Sequence, residues 1–115
     1  MTGKNSFIIK HIDNQKAECT SHGVGEKRVL ITGSQCQSNL MQAASGQMKS
    51  GEEVISHRHQ TMEEFYFFNK GVAKLIIDNV NYDCIAGTFV KIPANAVHSL
   101  IATEDIDFTY WGIAL

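Results

Sequence analysis

The stretch GEEVISHRHQTMEEFYFFNKG, residues 51–71, decides how this chain is read. His57 and His59 stand two apart. On an extended strand both imidazoles therefore leave on one face, and Arg58 leaves on the other. Glu64 opens the run Glu64–Phe68, which reads as the next strand. Two imidazoles and a carboxylate on neighbouring strands of a small barrel can converge on one point, and such a set ligates a divalent transition metal.

Working outward, the chain reads as short β runs broken by Gly, Asn, Asp and Ser, with no helical stretch. Upstream the expected strands are Phe7–Ile12, Lys27–Thr32, Asn39–Met48 and Val54–His59. Residues 13–26 and Ser34–Ser38 are expected loops. Downstream come Val72–Asp78, Tyr82–Ile85, Thr88–Ile92, Val97–Ala102 and Phe108–Leu115. Gly71 ends a tight turn at the position most in need of a positive φ. Pro93, the single proline, stops the strand before it. Ten strands without a helical crossover predict an all-β fold, an antiparallel sandwich or barrel. The 115 residues form one domain, 1–115, with an N-terminal strand and loop over 1–38.

Composition narrows the function classes. Hydrophobic residues make up 43% and charged ones 19%, and the net charge is −2. A binder of nucleic acid or of an anionic membrane would need a clustered basic surface. No apolar run approaches the ~20 residues of a membrane helix. MTGKNSFIIK lacks the apolar core and cleavage site of a signal peptide. Cys19, Cys36 and Cys84 are odd in number and far apart, so they predict reduced thiols in a cytoplasmic protein.

The third imidazole comes from His98, in GTFVKIPANAVHSLIA. With His57, His59 and Glu64 it gives three neutral ligands and one carboxylate, a set suited to Fe, Mn, Ni, Co or Zn. A six-coordinate ion held by four side chains keeps two positions for a substrate or O₂. His11 and His22 fit no such pattern and read as solvated surface residues.

These residues carry a resemblance. Gly51, five residues, His57, one residue, His59, four residues, Glu64, six residues, Gly71 is similar to the first signature motif of the cupin superfamily. Gly87, five residues, Pro93, then His98 resembles most of the second motif, over 87–102. The resemblance implies a single-domain cupin, a small antiparallel jelly-roll barrel (a double-stranded β-helix), with metal ligands His57, His59, Glu64 and His98. Glu63 competes with Glu64 for the carboxylate place, and the spacing to Gly71 favours Glu64. Two positions depart from the family pattern. Asn95 stands where a Gly is expected and tolerates left-handed φ better than other non-glycines. Ala102 stands where an Asn is expected, which removes a polar contact inside the barrel but no ligand.

Alternation from Glu64 turns Tyr66 and Phe68 inward, joined by Phe89 or Val90, by Leu100, and by Tyr110 or Trp111. The expected polar handles are Tyr66, Gln47 and either Gln42 or Tyr110. Lys49, Arg58, Lys70, Lys74 and Lys91 fall at turns or opposite a ligand, so a phosphorylated sugar is not the expected substrate. The reading is a metal-dependent cupin acting on a small organic molecule, by a dioxygenase-type or an isomerase/lyase reaction. Tyr66 and Glu63 are the candidate proton-moving catalytic residues. The alternative is a non-catalytic cupin binding a metal or a small sugar or acid. A homodimer is expected, with a partner covering the edge at Phe7–Ile12.

Overall fold

The computed structural model describes residues 3–115. Its ten strands are β1 (Glu18–Cys19), β2 (Glu26–Thr32), β3 (Leu40–Met48), β4 (Glu53–His57), β5 (Met62–Lys70), β6 (Ala73–Ile77), β7 (Val80–Cys84), β8 (Phe89–Ile92), β9 (His98–Ala102) and β10 (Ile106–Ala114). One sheet has the order β1-β2-β3-β10-β5-β8 and the other β4-β9-β6-β7, and every pairing is antiparallel. The only helical pieces among the described residues are two short 3₁₀ turns.

Period-2 alternation sets which side chains face the core. On β5, Glu64, Tyr66 and Phe68 point in. On β10, opposite them, stand Gly112, Tyr110 and Phe108. The result is an aromatic column, with Tyr66 and Tyr110 stacked at 5.9 Å and Phe68 and Phe108 tilted by 45° at 5.8 Å between ring centroids. Leu75, Ile92 and Cys84 are, with Phe68, the largest fully buried side chains of the core. Val90, not Phe89, packs on this core, and Tyr110, not Trp111, turns inward. Phe89 and Trp111 instead join Phe65 in a cluster on the outer face, where Phe65 and Trp111 lie 5.6 Å apart and nearly parallel.

Two turns carry the backbone demands read from the sequence. Gly71 has φ 82°. A Cβ there would meet the carbonyl oxygen of Asp105, so the position excludes a side chain on space as well as on φ. Asn95 adopts φ 71° in place of glycine. Its N–H donates to the carbonyl of His59 at 2.7 Å, so the loop after Pro93 is tied to the histidine segment.

Three expectations are corrected. Phe7–Ile12 is not a strand: no sheet partner reaches it, and Phe7 and Ile9 are each 87% exposed. The edge is instead β1, inside residues read as loop, where Glu18 pairs with Lys27. Gln47 is not a cavity residue. Ala44, Gly46 and Met48 take the inner face of β3, which turns Gln47 outward to Arg28 and Asp107.

Candidate metal centre

His57 ends β4 and His98 begins β9, and the two are direct cross-strand partners. Their ring centroids lie 4.2 Å apart. His59, just past the end of β4, stands 5.0 Å from His57 and 5.7 Å from His98. Glu64 reaches in from the other sheet, with Oε1 at 3.2 Å from His98 Nε2 and Oε2 at 3.5 Å from His59 Nε2. One potential ligand atom from each of the four lies within 4.8 Å of all the others. The cluster could therefore hold a metal ion.

The hydrogen bonds orient the rings for that task. His57 Nδ1 donates to the carbonyl of Ile55 and His98 Nδ1 to that of Ala96, both at 2.9 Å. A carbonyl only accepts, so Nδ1 carries the proton in each ring, and the lone pair of a neutral ring lies on Nε2, facing the cluster. The Nε2 atoms of His57 and His59 are buried without a hydrogen-bond partner among the described residues. Buried polar atoms are normally satisfied. Two orphaned nitrogens beside a carboxylate are what a metal site leaves when only its protein atoms are counted.

Electrostatics agree. Burial alone would raise the Glu64 carboxyl, yet the His98 hydrogen bond and the two imidazoles beside it hold it below the usual value. Burial alone would lower His98, yet its bonds to Glu64 and to the Ala96 carbonyl raise it overall. Burial lowers His57, and the neighbouring imidazoles add to this.

Of the residues named from sequence, the structure brings His57, His59, Glu64 and His98 together. Tyr66 lies beside them: burial first, then Glu64, pushes its phenol well above the ordinary value. Tyr110 is pushed up to about 12, mainly by burial and then by Glu64. Glu63 is not among them. It leaves β5 on the outer face and pairs with Lys91 at 3.5 Å. A fourth histidine stands at the site that local spacing did not mark. His22, in the loop between β1 and β2, places its ring 4.4 Å from that of His57.

Residues 45–111 match the Cupin domain family. The chain belongs to the cupin family. This cupin is 31% identical over 91 residues to dimethylsulfoniopropionate lyase DddW of Ruegeria pomeroyi, a span of 78% of this chain and 59% of that protein. The chain thus spans about three-fifths of that relative's length. Among solved structures, it is similar to a predicted oxalate decarboxylase of Thermotoga maritima. There the TM-score is 0.87 at 19% identity, covering 94% of this chain and 100% of that one. An RmlC-like cupin of Shewanella frigidimarina gives a TM-score of 0.81 at 16% identity, over 97% and 95%. At these identities the structural likeness speaks for the fold. No helix among the described residues is long and apolar enough to cross a membrane.

Proposed function

We propose that this cupin binds one divalent transition metal through His57, His59, Glu64 and His98 and uses it in a lyase reaction on a small organic acid. The observation that carries the reading is the set of converging ligand atoms, with Nε2 of His57 and His98 aimed inward by their Nδ1 bonds. The choice of a lyase over an oxygenase or isomerase draws on the likeness to DddW. A bound metal would supply Lewis acidity and a place for a carboxylate to chelate.

The chain's own residues supply the rest. The aromatic column of Tyr66, Phe68, Phe108 and Tyr110 closes the inner side of the site against water. Tyr66, its phenol kept protonated at neutral pH by burial and by the charge of Glu64, is the proton-moving residue. The outward-facing ion pair of Glu63 with Lys91 favours Tyr66 over Glu63 for that role.

Metal-free protein reconstituted anaerobically with Fe, Mn, Ni, Co or Zn and offered dimethylsulfoniopropionate and other small carboxylates tests the reaction. Cleavage without O₂ uptake supports a lyase. O₂-dependent turnover would move the reading to a dioxygenase. Tight binding with no turnover under any metal would make the protein a binding cupin. We further propose a homodimer formed through the outer cluster of Phe65, Phe89 and Trp111. Exposed Phe67 on the same face of β5 extends that surface.

A further inference from the structure

His22 belongs to no sheet, yet it ends against the metal cluster. Its ring lies 4.4 Å from that of His57, tilted by 46°. The loop that carries it is closed at its base, where the Gly23 N–H donates to the Thr20 carbonyl and the Thr20 hydroxyl donates to the Val24 carbonyl. Gly23 takes φ 77° to make the turn. Glu64 and His98 are buried at 7% and 3% exposure, whereas His57 and His59 are half-buried and His22 is exposed. His22 therefore stands on the more solvent-exposed side of the cluster. Its ring nitrogens have no hydrogen-bond partner among the described residues, and it lies outside the group of four converging ligands.

The same hairpin brings a cation. Lys27 on β2 pairs with Gly46, which lies under the Phe108 ring on the inner face, so the Lys27 side chain starts inward. Its ammonium donates to Gln42 Oε1 at 3.3 Å. Gln42 and Glu64 both pair with Gly112, from β3 and β5. The positive charge thus lies on the inner face of the six-stranded sheet, where its hydrogen-bond partner Gln42 stands two strands from Glu64.

We infer that the β1–β2 hairpin forms the substrate-recognition wall of the site. A small monocarboxylate held at the cluster takes a hydrogen bond from the His22 imidazole and is favoured by the Lys27 ammonium. His22 is a specificity-determining contact and not a fifth ligand. The inference rests on the metal reading above. It names the substrate class, an anion small enough to fit between an imidazole and an aromatic column.

The test uses the Co(II)-loaded full chain and propionate as the probe, read by the visible d–d spectrum and by metal analysis. His22→Ala and Lys27→Met each weaken propionate binding by about tenfold or more, the order expected for one hydrogen bond or close charge to a carboxylate. His22→Gln, which keeps an N–H, stays within about threefold of the unaltered protein, a smaller loss than that of one such bond. Metal content and the propionate-free spectrum are the same in all four proteins. Unchanged propionate affinity in either His22→Ala or Lys27→Met overturns the inference. A changed propionate-free spectrum in His22→Ala overturns it too, by making His22 a ligand. Failure of the unaltered protein to take up Co(II) overturns the metal reading, and the inference falls with it. That outcome is distinct from a loaded protein whose variants bind propionate equally well.

Discussion

His98 can keep both ring nitrogens bonded only by carrying a proton or a metal. Nδ1 is committed to the Ala96 carbonyl, and Nε2 faces a carboxylate oxygen at 3.2 Å. In the metal-free protein, below the raised pKa of His98, the ring is therefore an imidazolium paired with Glu64. The pH dependence follows. His98 is raised from 6.5, so its contribution is complete below that value and is lost as pH rises through the raised one. Glu64 is lowered from 4.5, so its contribution is complete above that value and is lost as pH falls through the lowered one. The gap in melting temperature between metal-free protein and its Glu64→Gln variant is thus expected to be widest between pH 4.5 and 6.5. A gap that is flat with pH would contradict the pair. The neighbouring phenol gives a second prediction: Tyr66→Phe lowers turnover by roughly 10²–10⁴-fold, the usual worth of a proton-transfer group, with metal content unchanged. Equal turnover in the variant would remove Tyr66 from the chemistry.

The elements hold these residues through a few local devices. β4 pairs with β9 through a register shift between Val54 and His57, which sets His57 against His98. Asn95 then pins the segment just beyond, through its bond to His59. Asn95→Gly should leave stability nearly unchanged. Asn95→Val should cost about 1–2 kcal/mol, because a β-branched residue resists left-handed φ. Urea denaturation of the two variants measures both, and equal stability would contradict the left-handed turn.

Strands were legible where alternation is clear, as in β5 and β6, because one face of each is buried. The error at Phe7–Ile12 has a physical cause. An apolar run becomes a strand only if a neighbour offers a ladder, and none reaches it. β1 was missed for the converse reason: Glu18 and Cys19 are both exposed and show no apolar pattern, so only pairing to β2 makes them a strand.

At the scale of the whole molecule, four ligands spread over residues 57–98 meet because the two sheets face each other across one core. The motif spacing made that meeting legible. It said nothing of His22, whose nearness to His57 comes from closure of the β1–β2 hairpin, a tertiary event with no local periodicity. The outer aromatic cluster makes its own prediction. Light scattering at micromolar concentration should give twice the chain mass, and Trp111→Glu should give the single-chain mass with metal content retained. A monomeric unaltered protein would rule that dimer out.

The most direct measurement is metal content by elemental analysis after reconstitution, on the unaltered chain and on His57→Ala and His98→Ala. The account predicts about one divalent ion per unaltered chain, a full four-ligand complement, and a loss of most of it in each variant. Equal metal content in all three, or none in the unaltered chain, would contradict it.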